Sequence, residues 1–119
     1  MAKMLVVDDE IEICDFLREF FIEKGYTVYT APTGDVALKI VAEKRPDILL
    51  LDIMMPGKSG LETLREAKKI LPTLKVIMVS ALETTDKIEA AMKLGADNYI
   101  TKPLSLDYLE SDVRAKVRV

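Results

Sequence analysis

The chain has 119 residues, of which 50% are hydrophobic and 31% are charged. This length and composition predict a single folded domain over residues 1–119 and exclude a disordered chain. The net charge of −3 offers no general attraction for nucleic acid or anionic lipid, so we expect no direct nucleic acid binding. The apolar stretch before Asp8 is too short for a signal peptide or a membrane span, which favours a cytoplasmic protein.

The cysteine and histidine content restricts the chemistry further. The chain has one cysteine, Cys14, and no histidine. A single cysteine excludes a disulfide framework, and the helical spacing of Cys14 with Leu17 and Phe21 predicts a buried thiol. Without histidine there is no imidazole base, no histidine-bound zinc and no phosphohistidine. A metal ion would therefore bind to oxygen ligands, which favours Mg²⁺, Ca²⁺ or Mn²⁺.

The hydrophobic pattern predicts five strands that alternate with five helices. Gly25 is a stop signal for the first helix, and Ser59 with Glu62 forms a capping box for the third. The strands are predicted at 4–7, 26–30, 48–51, 76–79 and 98–101. The apolar face of the first helix is predicted at Ile13, Phe16, Leu17, Phe20 and Phe21. The other helices are predicted from Thr33 to 44–45, from Ser59 to Ile70, from Thr84 or Thr85 to Gly95, and from Ser105 onward.

The strand compositions predict the order of the sheet. The first, third and fourth strands are wholly apolar and should be central, whereas the second and fifth mix polar and apolar residues as edge strands do. Crossovers of this length return the chain parallel, and right-handed crossovers with a reversal after the first strand give the order 2-1-3-4-5. The prediction is a doubly wound α/β fold with a parallel sheet and helices on both faces.

Reactive polar residues follow the predicted strands. In this strand order Asp8, Asp9 and Asp52 converge at one crevice, with Ser80 and Lys102 on its other side. Three adjacent carboxylates repel one another unless a cation intervenes, and Mg²⁺ suits them. Asp52 could attack a phosphoryl group to form an acyl phosphate, with Lys102 as the neutralising charge. The alternative role for Asp8 and Asp9 is to cap the first helix.

Four segments of the chain resemble the receiver domain of two-component response regulators, including the chemotaxis regulators. They occur in the family's order at compatible separations and extend over essentially the whole chain. The resemblance implies a flavodoxin-like fold. It also implies a protein that catalyses its own phosphorylation and dephosphorylation without being a conventional turnover enzyme. The matching segments are Val6-Val7-Asp8-Asp9-Glu10, Leu51-Asp52-Ile53-Met54-Met55-Pro56-Gly57, Val79-Ser80-Ala81 and Gly95-Ala96-Asp97-Asn98-Tyr99-Ile100-Thr101-Lys102-Pro103.

The resemblance also implies roles for the residues in the crevice. Asp52 would accept a phosphoryl group from the phosphohistidine of a sensor histidine kinase or phosphotransfer protein. Asp9, Asp52 and the Met54 backbone carbonyl would bind Mg²⁺, which Mn²⁺ could replace, and Asp8 would act mainly through water. Lys102 would pair with a phosphoryl oxygen.

Further residues are implicated in switching. The bond from Lys102 to Pro103 is expected to be cis. On phosphorylation Ser80 would move toward the phosphoryl group and Tyr99 would turn inward, which would reshape the surface read by an effector domain or effector protein.

The chain would be a monomer or a phosphorylation-dependent dimer, and either a free-standing receiver or part of a longer regulator. The apolar Met54 and Leu82 suggest slow hydrolysis of the phosphorylated form.

Two other classes of function compete with this interpretation. One is an atypical receiver that acts only through protein contacts, although the intact acidic cluster argues against it. The other is an enzyme. A dehalogenase-like phosphatase would carry a second aspartate where this chain has Met54, and a flavodoxin-like cofactor binder would not place two acids after the first strand.

Overall fold

The computed structural model describes residues 2–55, 57–81 and 85–117. Within these residues five strands alternate with five helices, as the sequence predicts. None of the helices in the described part of the chain is long and apolar enough to cross a membrane. The elements are β1 (Lys3–Val7), α1 (Ile11–Glu23), β2 (Thr27–Ala31), α2 (Gly34–Lys44), β3 (Ile48–Leu51), α3 (Gly60–Ile70), β4 (Lys75–Ser80), α4 (Thr85–Lys93), β5 (Asn98–Thr101) and α5 (Leu106–Val117).

The five strands form one parallel sheet in the order β2-β1-β3-β4-β5. The predicted topology is therefore confirmed, including the two edge strands. The register places Val7 opposite Leu51 and Ser80 opposite Thr101. Since the strands are parallel, their carboxyl ends meet at one edge of the sheet.

The sheet separates two layers of helices, because successive side chains of a strand point to opposite faces. In β1, Leu5 and Val7 belong to the apolar cluster with α2, α3 and α4. Met4 and Val6 alternate with them and belong to the cluster with α1 and α5. All four side chains are buried, which explains why the central strands are continuous apolar runs.

The predicted helix signals are present at several helix ends. The hydroxyl of Thr33 accepts a hydrogen bond from the Val36 N–H at 3.2 Å, and that of Ser59 accepts one from the Glu62 N–H at the same distance. Gly25, with φ of +97°, follows the end of α1. These contacts satisfy backbone groups that a helix end leaves unpaired.

Two predictions about α1 are corrected. Phe16 was expected on the buried face, but its side chain is 56% exposed, and the buried stripe is Cys14, Leu17 and Phe21. The N-cap residue is Glu10, which makes no side-chain cap hydrogen bond. The alternative role of the two preceding aspartates as N-caps is therefore wrong, and α1 begins without a side-chain cap.

Some predicted boundaries also shift. Tyr26 precedes β2, and its ring packs edge to face against Phe21 with ring centroids 5.5 Å apart. The strand β4 extends to Ser80. Thr84, one of the two predicted starts of α4, lies outside the described residues, and α4 is described from Thr85.

Candidate functional site

Two adjacent central strands bring the three predicted aspartates together. Asp8 follows β1 and Asp52 follows β3, and both side chains are buried, whereas Asp9 is exposed. One carboxylate oxygen from each residue lies within 4.8 Å of the others. This proximity follows from the register of the strands, since Val7 and Leu51 are paired and each precedes an acidic residue or pair.

The two buried carboxylates are held in the same way. Oδ1 of Asp8 accepts a hydrogen bond from the Glu10 N–H at 3.0 Å. Oδ1 of Asp52 accepts one from the Met54 N–H at 3.1 Å. In both cases the acid fixes the backbone two residues ahead, a turn typical of aspartate. The Oδ2 atom of each aspartate is left facing Lys102.

Lys102 follows β5 and provides the cation of the site. Its Nζ lies 3.1 Å from Oδ2 of Asp8, 3.3 Å from Oδ2 of Asp52 and 3.8 Å from Oε1 of Glu10. Burial alone would lower the pKa of Lys102, but the hydrogen bond to Asp8 and the charge of Asp52 outweigh it and raise that pKa. The Lys102 N–H donates to the Ser80 carbonyl at 2.9 Å, and the bond to Pro103 is cis.

The predicted switch residues lie on the two strands next to the acids. Ser80 ends β4, and its side chain is fully buried. Tyr99 lies in β5 and packs half-buried against the apolar cluster of α2, α3 and α4. Met54 is 59% exposed in the loop after β3. Leu82, which the hydrolysis hypothesis also used, lies outside the described residues.

Two contributors to the site were not anticipated from the sequence. Glu10 adds a carboxylate near Lys102, and its position directly after the two aspartates is a signal that could have revealed it. Gly60 begins α3 directly behind Asp52, and a Cβ atom built there would lie 2.2 Å from the Asp52 carbonyl oxygen. Its N–H donates to the Ile53 carbonyl at 3.0 Å, which closes the loop after the strand. Only glycine allows this close approach.

A doubly wound sheet with an acidic crevice at its carboxyl edge defines the class of flavodoxin-like proteins of the CheY type. The family model of the response regulator receiver domain matches residues 4–114 of the chain. The chain belongs to this family, the receiver domains of two-component response regulators, and is thereby consistent with phosphorelay signalling.

Solved structures agree with this assignment. A CheY-like receiver domain protein from Methanospirillum hungatei is 30% identical with a TM-score of 0.96, over 99% of this chain and 94% of its own. The receiver domain of a Francisella response regulator is 33% identical with a TM-score of 0.91, over 99% of this chain and 98% of its own. The BeF₃-activated N-terminal receiver domain of Klebsiella pneumoniae RstA is 26% identical with a TM-score of 0.91, over 99% of this chain and 100% of its own.

Proposed function

We propose that this chain is a phosphoryl-accepting switch in which Asp52 takes a phosphoryl group from a phosphohistidine. The donor would be a sensor histidine kinase or a phosphotransfer protein in the cytoplasm, and the phosphorylated chain would act on an effector domain or protein. Membership of the receiver family supports this class of partner. The observation that carries the assignment is the meeting of three carboxylates within 4.8 Å of one another, with the ammonium of Lys102 beside Asp52.

The proposed reaction exchanges one bond for another. A carboxylate oxygen of Asp52 attacks phosphorus, the phosphorus–nitrogen bond of the donor breaks, and its electron pair returns to the imidazole nitrogen. The Met54 N–H holds one oxygen of Asp52, which limits the orientations of the carboxylate. Lys102 would exchange its carboxylate contacts for a phosphoryl oxygen and balance the transferred charge.

The donor set fits a hard divalent cation. Asp8, Asp9 and Asp52 offer only carboxylate oxygens, and the Met54 carbonyl could add another oxygen. We propose Mg²⁺, for which Mn²⁺ could substitute. Such a cation would supply charge neutralisation for the phosphoryl oxygens during transfer. Asp8, whose Oδ2 already contacts Lys102, would act mainly through water.

Switching is assigned to Ser80 and Tyr99. Ser80 lies at the end of the strand between those that carry Asp52 and Lys102, so a small movement of its hydroxyl would reach the phosphoryl group. Tyr99 lies in the edge strand β5, on the face that packs with α2, α3 and α4, where a change in its side chain would alter the exposed surface beside α4. The similarity to a BeF₃-activated receiver domain supports an activatable site.

Intact-mass measurement after incubation with MgCl₂ and acetyl phosphate tests this function. We expect a mass gain of one phosphoryl group in the wild-type chain and none in Asp52→Ala or without a divalent cation. Glu43→Ala, which removes an exposed carboxylate from α2, is the matched control and should label like the wild type. A wild-type chain that gains no mass under these conditions, or from a phosphorylated histidine donor, would contradict the proposal and favour a receiver that acts through protein contacts alone.

A further inference from the structure

Lys58 joins the loop after β3 to two helices. Its Nζ donates a hydrogen bond to Oε2 of Glu66 on α3 at 2.5 Å and lies 3.9 Å from Oδ1 of Asp35 on α2. The side chain of Lys58 is only 20% exposed. Lysine side chains are seldom covered to this extent unless they are paired. The ammonium is therefore held between the helices.

The aliphatic stem of Lys58 fills a space that a glycine leaves open. A Cβ built on Gly34, at the start of α2, would lie 3.2 Å from Cδ of Lys58 and 3.3 Å from its Cβ. The same Cβ would lie 2.2 Å from Oγ1 of Thr63 on α3. The two helices thus approach closely here, and the aliphatic stem of Lys58 packs against Gly34 while its ammonium reaches Glu66.

The same loop carries Met54 and is tied to the fold at its base. The Gly60 N–H donates to the Ile53 carbonyl at 3.0 Å, and the Thr63 hydroxyl donates to the Ser59 carbonyl at 2.9 Å. These bonds close the loop where it enters α3. Lys58 adds a further attachment, and both of its acidic partners lie on helices.

We propose that Lys58 is a positioning residue for the phosphoacceptor site. Its contacts with Glu66 and Asp35 restrict the loop that presents the Met54 carbonyl, so that this oxygen is held in place for the divalent cation. The inference rests on the proposed function, since it depends on that carbonyl being a ligand. Groups that orient metal ligands without touching the metal affect its affinity in the same way.

The pKa values of the two side chains shift in the directions expected of a charged pair. The hydrogen bond between the two side chains raises the pKa of Lys58 and lowers the pKa of Glu66. Each group therefore stays charged across the range in which phosphotransfer would be measured. The attachment is not expected to change with pH near neutrality.

The test compares Lys58→Met with Lys69→Met, which removes the same charge from an exposed position on α3. In the metal-free chains, hydrogen exchange at the Gly60 amide should speed up in Lys58→Met and in Glu66→Gln, but not in Lys69→Met. In Mg²⁺ titrations by calorimetry, Lys58→Met should bind about threefold to tenfold more weakly than the wild type. Phosphoryl uptake at saturating Mg²⁺ should stay within about twofold of the wild type, because the acceptor itself is intact.

Two further results decide the proposal. Lys58→Arg should recover most of the Mg²⁺ affinity, because arginine can pair with the same carboxylates. If Lys58→Met and Lys69→Met bind Mg²⁺ equally well, or if only thermal stability falls, Lys58 has no positioning role. Failure of the proposed function would be distinct, because the wild-type chain would then take up no phosphoryl group whatever the exchange rate of the loop.

Discussion

The ammonium of Lys102 lies 3.3 Å from Oδ2 of Asp52, the carboxylate that we propose as the phosphoacceptor. The same Nζ lies 3.1 Å from Oδ2 of Asp8, so one cation is shared between two buried acids. A buried carboxylate pair of this kind needs compensating positive charge. Lys102 supplies that charge, and it would have to share the site with any divalent cation that binds there.

Lys102→Met is therefore predicted to separate metal binding from phosphotransfer. Mg²⁺ should bind several-fold more tightly, because a competing positive charge is removed from the acidic cluster. Phosphoryl uptake from acetyl phosphate should slow by roughly 100-fold, since a group that stabilises the transferring oxygens is lost. Calorimetry and intact-mass kinetics measure the two effects. Lys93→Met, in an exposed position on α4, should change neither, and an unaltered rate in Lys102→Met would contradict the proposed role.

Met54→Asn is predicted to shorten the lifetime of the phosphorylated chain. The Met54 side chain is 59% exposed beside the acceptor and offers no group that could orient an attacking water. An asparagine amide could do so, and positioned polar groups of this kind commonly give tenfold or larger effects, so we expect decay at least about fivefold faster. The measurement is the loss of phosphoryl mass after the donor is removed. Met92→Asn is the matched control on α4, and equal decay in the two variants would remove the hypothesis.

The sequence predicted the sheet well because its central strands are unambiguous. The run from Ile48 to Leu51 is apolar on both faces, as only a strand covered by two helix layers can be. Once that strand is central and the crossovers are right-handed, the positions of Asp8 and Asp52 follow from chain order. The meeting of the acids was thus predictable from strand ends alone.

Contacts that depend on side-chain direction were less predictable. Phe16 fits the hydrophobic spacing of α1 but is exposed, whereas Phe20, four residues later, is half-buried. Periodicity locates an apolar stripe without fixing its edges, so this residue was assigned wrongly. Lys58 in the loop pairs with Glu66 on α3, eight residues further along the chain. In the sequence alone, Lys58 cannot be distinguished from an ordinary solvated lysine. Such a contact becomes visible only when the two helices have been placed.

Gly60→Ala is predicted to disturb the site through the backbone. The added Cβ would lie 2.2 Å from the Asp52 carbonyl oxygen and 2.5 Å from Cα of Ile53, so the acceptor segment would have to move. We expect a loss of about 2–3 kcal/mol in the free energy of unfolding, with slower phosphoryl uptake in the molecules that remain folded. Urea unfolding and intact-mass kinetics test these effects.

Gly57→Ala provides the comparison for that variant. Gly57 has φ of +77°, but a Cβ built there meets nothing within 4 Å. Its cost should be limited to backbone strain of about 1 kcal/mol, with little effect on phosphoryl uptake. If the two alanine variants lose the same stability and the same activity, close packing behind Asp52 is not what requires glycine at position 60.

Tyr26 should make the chain less stable at alkaline pH. Burial, and then the charge of Glu110, raise the pKa of its phenol above the ordinary value of 10.0, although Arg114 acts in the opposite direction. The unfolded chain therefore releases this proton at a lower pH than the folded chain does. The contribution to stability is fully present below about pH 10 and is lost as the pH rises through the raised pKa.

Urea unfolding between about pH 8 and about pH 11 measures this effect as the slope of stability against pH. Other groups also titrate in this range, so the comparison is between slopes of matched variants. Tyr26→Phe should flatten the decline, because the buried ring is kept and the ionisable hydroxyl is removed. Tyr29→Phe, which removes a hydroxyl from a half-buried residue on strand β2, is the comparison variant. Identical slopes in the wild type and Tyr26→Phe would show that the Tyr26 phenol ionises alike in the folded and unfolded chains.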